Sequence, residues 1–124
     1  MGAQLRVVDS AAQLSARDQG CLAITGSHGG LSAARYAWVA KPWLVVFNDA
    51  GVGKDQAGIA GLQQLAEQGV AAATVSHTSA RIGDASSTLA DGVISRVNAP
   101  AKLLGLQPGV QLADWIDAQG TPTT

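Results

Sequence analysis

Both histidines of this chain stand in short polar clusters, and each cluster closes an apolar run. Cys21-Leu22-Ala23-Ile24-Thr25 leads into Gly26-Ser27-His28-Gly29-Gly30. Trp43-Leu44-Val45-Val46-Phe47 leads into Asn48-Asp49-Ala50-Gly51-Val52-Gly53-Lys54-Asp55. Ala71-Ala72-Ala73-Thr74-Val75 leads into Ser76-His77-Thr78-Ser79-Ala80-Arg81-Ile82-Gly83-Asp84. Imidazole gives and takes protons near neutral pH, which makes His28 and His77 the acid/base candidates. Asp49 is expected to orient one of them or to hold a metal. Arg81 offers a planar fork for a carboxylate or phosphate, and Lys54 adds a mobile charge. The amides of Gly51 and Gly53, in a turn that opens a helix, would face the same anion. Ser27, Ser76 and Ser79 are hydrogen-bond donors to such a ligand. Gly29 allows it to approach closely, and Asp84 supports Arg81 or serves as a ligand.

Familiar motifs do not fit these clusters. A P-loop needs Gly at position 48 and Ser or Thr after Lys54, where Asn48 and Asp55 stand. The dinucleotide fingerprint needs a third Gly where Gln56 stands. A nucleophile elbow around Ser27 lacks its first Gly, since Thr25 is there. Ser27, Asp49 and His77 follow the chain order of the α/β-hydrolase triad, but the chain is too short for that fold. His28, Asp49, His77 and Asp84 together would offer two imidazoles and two carboxylates to a divalent metal. No pair among them has short ligand spacing, so that site depends on the strands being neighbours. The plain alternatives are structural: a tight turn with Asp55 as a helix cap and Lys54 in solvent, and a 76–84 loop stapled by Arg81 and Asp84.

The elements that must carry these residues follow from periodicity and punctuation. Residues 4–8 predict a first strand, and Asp9 or Ser10 a cap for a short helix through Ala16. Residues 21–25, 43–47 and 71–75 lack alternation and read as buried parallel strands. Residues 31–40 predict a helix ended by Pro42. Asp55 is expected to cap a helix over 56–68 with Ile59, Leu62, Leu65 and Ala66 as its apolar stripe. Gly58 and Gly61 would let that helix lie close on the sheet, and Gly69 would stop it. This strand–helix–strand run predicts a right-handed βαβ unit. Further on, Val93-Ile94-Ser95 reads as a strand. Asn98 caps a turn of helix with Pro100 early in it, and 110–118 is a last helix with Leu112, Trp115 and Ile116 inward. If the three runs are neighbouring parallel strands, all three clusters lie on one edge, where open α/β sheets bind ligands.

Composition bounds the rest. The chain has 124 residues, a net charge of -1 and 14% charged residues, enough for one α/β domain over 1–119 and a frayed tail at 120–124. Eight Lys and Arg spread along the chain make no basic patch, so nucleic acid is not an expected partner. No apolar run approaches membrane-spanning length, and the N-terminus does not read as a signal peptide. The single Cys21 excludes an internal disulfide and suits a reducing compartment, which makes the cytoplasm the expected location. Low charge and many Ala and Gly lead to the expectation of a homo-oligomer.

The segment Leu44 to Asp84 resembles the family of 4-hydroxy-4-methyl-2-oxoglutarate aldolases and ribonuclease E activity regulators. The matching pieces are Val45-Val46 with Gly51 and Gly53, then 57–69, then Ala73-Thr74-Val75 with Arg81 and Asp84. They cover about a third of the chain. The family's Arg and Asp are adjacent, whereas two residues separate them here, and the Ser27-His28 and Ser76-His77 elements are not part of the likeness. The resemblance implies a layered α/β architecture and a small carboxylate ligand, with a divalent metal as possible cofactor.

The sequence therefore predicts a small layered α/β sandwich with a mostly parallel four- or five-stranded sheet, the alternative being a swivelling β/β/α arrangement. The expected function is an enzyme acting on a small anionic metabolite by acid/base or lyase chemistry at the C-terminal edge of the sheet. The alternative is a non-catalytic ligand-binding module or a small subunit of a larger enzyme.

Overall fold

The continuous apolar runs become the middle of one sheet, because a strand covered on both faces needs no polar side. The structure, a computed structural model, describes residues 2–120; most of the expected tail, 121–124, lies outside the described residues. Its five strands are β1 (Leu5–Val8), β2 (Leu22–His28), β3 (Leu44–Asn48), β4 (Ala71–Val75) and β5 (Ile94–Val97), in the spatial order 1-2-3-4-5. β1 to β4 are parallel, and β5 runs antiparallel to β4. The five helices are α1 (Leu31–Ala40), α2 (Ala60–Glu67), α3 (Ala85–Asp91), α4 (Ala99–Leu103) and α5 (Leu112–Ala118). This is the layered, mostly parallel sandwich, not the two-sheet alternative. No helix among the described residues is long and apolar enough to cross a membrane.

Alternation along the strands divides the core in two. Ala23, Val45, Phe47 and Ala72 face α1 and α2, whose inward residues are Ala33, Ala34, Ala37, Leu62 and Leu65. Leu22, Ile24, Leu44, Val46 and Ala73 face the other way, onto Ala101, Leu112, Trp115 and Ile116 of α4 and α5. Both α1 and α2 lie on one face while the chain steps in the same direction, β2 to β3 to β4, so the two crossovers share one handedness. Cys21 is a buried wall residue; burial, then the nearby Asp18 carboxylate, push its thiol up to about 11.

α3 breaks the run of one-sided crossovers. Its Leu89 packs into the second core, and Thr88 Oγ1 donates to the Thr25 carbonyl at 3.0 Å. β3 therefore sends its chain to α2 on one face, while its neighbour β4 sends its chain to α3 on the other. In open α/β sheets such divergence is where ligands bind, at the C-terminal ends of the two strands. Gly26 makes the crossing to α3 tight. Gly83 N–H donates to its carbonyl at 2.8 Å, and any side chain there would strike the Gly83–Asp84 backbone.

Three expectations need correction. The segment after β1 forms two short 3-10 turns, Ala11–Gln13 and Ala16–Asp18, with Ser10 capping the first. The helix expected over 56–68 starts only at Ala60, and Asp55 has φ 55°, so it is no cap. Gly58 is the physical reason: it lies against the Asp49 carbonyl, where no side chain fits, and the chain must turn there before it can coil. Gly61 lies against the Gly30 carbonyl and Ala34 of α1, not on the sheet itself. In addition, α3 occupies residues 85–91, to which the sequence pattern assigns no element.

Candidate functional site

The end of β3 anchors the loops at this edge of the sheet. Asn48 is fully buried; its amide donates to the Ala80 carbonyl at 3.0 Å and its Oδ1 accepts the Ala50 N–H at 2.8 Å. One side chain thus ties the loop after β3 to the loop after β4. Asp49 repeats the device one residue on. Its Oδ1 accepts the N–H of Gly51 at 2.8 Å and of His77 at 3.0 Å. The same oxygen stands 3.5 Å from His77 Nδ1, with the carboxylate 8% exposed and the imidazole 55% exposed. At that separation the ring contact is electrostatic rather than a full hydrogen bond. The imidazole lies over Gly51, where a Cβ would sit 3.4 Å from its Cε1.

Behind Asp49 is a short chain of hydroxyls. Thr74 and Ser95 are joined at 2.9 Å, and the Ser95 hydroxyl lies near enough to favour the ionised Asp49 carboxylate. Burial pushes the Asp49 carboxyl up. The Ser95 hydroxyl, the Gly51 and His77 amides and the His77 ring together outweigh burial and hold it below its ordinary value. Asp49 is thus an ionised, buried group aimed at a half-exposed imidazole. The carboxylate beside Nδ1 favours this orientation of the half-exposed ring.

The loop over this pair is strained. Ala50, Gly51, Val52 and Gly53 all have positive φ, as do Asp55 and Gln56. Val52 at φ 68° is β-branched, the type least tolerant of that region. The loop's amides do not face a ligand as expected. Gly51 N–H goes to Asp49 and Gly53 N–H to the Gly51 carbonyl at 2.8 Å. The anion held by the Gly51 amide is the chain's own Asp49 carboxylate. Lys54 remains an exposed cation on the loop.

The other expected residues fall into two groups. Ser79 is structural: its hydroxyl donates to the Ser76 carbonyl and accepts the Val93 N–H, both at 2.9 Å. Ser76 anchors the same turn through its backbone, and its Oγ meets Thr78 Oγ1 at 3.3 Å. Asp84 is the N-cap of α3, accepting the Ser87 N–H. The Ser86 hydroxyl, the Ser87 amide and the Arg81 charge hold its carboxyl below its ordinary value. Arg81 stands 3.6 Å from Asp84 with its side chain 80% exposed, an arm that reaches solvent.

Ser27 and His28 do not join the Asp49–His77 pair. They end β2 on the α1 face and line a separate cavity with Ser10, Ser32 and Tyr36. Gly29 is a packing residue there: its N–H donates to the Asn48 carbonyl, its carbonyl accepts the Gly61 N–H, and a Cβ would sit 2.8 Å from the Gly58 carbonyl. The four-ligand metal set therefore does not assemble, and among the described residues no three His, Cys, Asp or Glu gather to hold an ion. The reason is the placement of its members, with His28 turned to α1 and Asp84 spent on the α3 cap. Reading the sequence left Ser95, Thr74 and Tyr36 without a site role. Ser95 and Thr74 were hidden because strand pairing alone brings β5 beside Asp49.

No protein-family profile matches this chain, and comparisons with curated proteins and with solved structures return no match.

Proposed function

We propose that the protein is an enzyme that moves a proton on a small anionic metabolite, with His77 as the acid/base at the β3–β4 edge of the sheet. The observation that carries this reading is the Asp49–His77 pair, a buried carboxylate 3.5 Å from an imidazole that is open to solvent. Asp49 orients the ring. Arg81 leaves Asp84 to take the substrate's carboxylate or phosphate, and Lys54 adds charge from the facing loop. Lyase or isomerase chemistry on a small oxo- or hydroxy-acid fits these roles, as does the resemblance of Leu44–Asp84 to the aldolase family. In this reading the protein works in the cytoplasm.

The test is turnover of a panel of such acids by the purified protein and by two variants. His77→Gln should lose roughly 10²- to 10⁴-fold in kcat/KM, the usual contribution of a positioned acid/base, with an unchanged melting temperature. Asp49→Asn should lose much of the rate through misorientation of the ring. Undiminished turnover in His77→Gln would refute the assignment.

A second reading is a ligand-binding module or small subunit of a larger enzyme. It rests on the outer face of α1, where Leu31, Tyr36, Trp38 and Val39 stay about half exposed. The same face is our proposed contact between copies of the chain. A purified protein that is monomeric and turns over no acid in the panel would favour the subunit.

A further inference from the structure

The acid/base reading leaves the cavity beside His28 unused. It is a half-open pocket of about 190 Å3 between the 10–12 turn, the end of β2 and the start of α1. Its polar walls are Ser10, Ser27, His28, Ser32 and Tyr36, and among the described residues no carboxylate lines it. Two of these hydroxyls already accept. Ser27 Oγ takes the Ala11 N–H at 2.8 Å, and Ser10 Oγ takes the Ala12 N–H at 3.2 Å. Their protons are left to donate. The Ser32 and Tyr36 hydroxyls and the exposed His28 imidazole add three more polar groups around the same space. The imidazole lies against the start of α1, for a Cβ on Gly30 would sit 2.8 Å from His28 Nε2. Gly30, as N-cap, brings no side chain to the first turn of α1, whose Ser32 and Ala33 line the same space.

Walls with five hydroxyl or imidazole groups and no carboxylate accommodate an anion, which accepts from them without meeting a like charge. A carboxylate offers two oxygens, whereas these walls surround the space with more donors than two oxygens use. A phosphoryl group has three terminal oxygens and so engages more of these groups at once. We propose that this cavity holds the phosphoryl group of inorganic phosphate or of a phosphate monoester. The inference goes beyond the acid/base reading and does not depend on it, since it requires neither turnover nor His77.

The experiment is a titration of the full chain, labelled with 15N, with inorganic phosphate in a phosphate-free buffer. Acetate at matched ionic strength is the carboxylate arm. Phosphate should give saturable shifts at the amides of Ala11, Ala12, Leu31, Ser32 and Ala33. Its affinity should fall roughly tenfold or more in His28→Ala and in Ser32→Ala, and should not change in His77→Gln. Ser32 is exposed, so its variant reports on the cavity even if His28→Ala folds poorly. Shifts centred on 50–54 and 77–81, no saturable shift, affinity unchanged in both cavity variants, or acetate binding as tightly as phosphate would each overturn the proposal. Failure of the acid/base reading would appear separately, as turnover insensitive to His77→Gln with phosphate binding intact.

Discussion

At the scale of single residues, Asp49 concentrates more of the site than any other side chain. It fixes Gly51, the His77 backbone and the His77 ring from one oxygen. Its lowered folded value has a consequence for stability. A carboxyl whose folded value lies below the unfolded one contributes stability that is complete above the ordinary 3.8 and is lost as pH falls through the folded value. Asp49→Asn removes that contribution, so its stability deficit should be largest near neutral pH and should shrink in acid. Urea unfolding of both proteins from pH 7 down to about pH 2 checks this; a deficit constant across the range would contradict it. The reactive types were legible in the sequence, because His28, Asp49 and His77 each follow an apolar run. Their grouping was not. Asp49 with His77 depends on which way two loops leave the sheet, and His28 turns to α1 because Gly29 and Gly30 are pressed against Gly58 and Gly61. Contacts between backbones leave no pattern of side-chain types to read.

At the scale of elements, strands and caps were the readable part. Residues 31–40 form the helix that Pro42 implied, and Asn98 caps α4 as its type and position suggested. Asn98 does more than cap. Its Oδ1 also accepts the Ala72 N–H at 3.0 Å, and its amide donates to Leu62 and Val70 carbonyls at 3.1 and 2.9 Å. It joins β4, α2 and α4 inside the protein. Asn98→Ala would leave buried backbone groups without partners and should destabilise the fold by roughly 2–4 kcal/mol, measured by urea denaturation; a loss under about 0.5 kcal/mol, the range of an ordinary surface change, would contradict this. The start of α2 differs because Asp55 has the residue type of a cap but not its backbone, whereas the apolar stripe itself begins at Ile59, beside the observed start. The positive φ values from Ala50 to Gln56 are imposed by the anchors at Asn48, Asp49 and Gly58. α3 was missed because its seven residues, Ala-Ser-Ser-Thr-Leu-Ala-Asp, carry little apolar stripe, although Asp84 is a good cap.

At the scale of the whole molecule, the strand order decides where chemistry can occur. α1 and α2 cover one face of the sheet, and the chain leaves β4 for α3 on the other, so the loops after β3 and β4 part at this edge. The parallel core was legible from three unalternating runs. The antiparallel β5 was not, since its direction is set by the short α3 that returns the chain along β4. The result is two polar sites on one sheet edge: an Asp–His pair between β3 and β4, and a donor-lined cavity between β2 and α1. Proton transfer at the first site is the central claim. The most direct measurement is hydrogen–deuterium exchange at the α-carbon of small oxo- and hydroxy-acids in D2O, followed by proton NMR for the protein and for His77→Gln. The account predicts that the protein catalyses loss of the α-proton signal from at least one acid in the panel, and that His77→Gln abolishes this. Exchange equally fast in His77→Gln, or none above the uncatalysed rate with any acid, would contradict it.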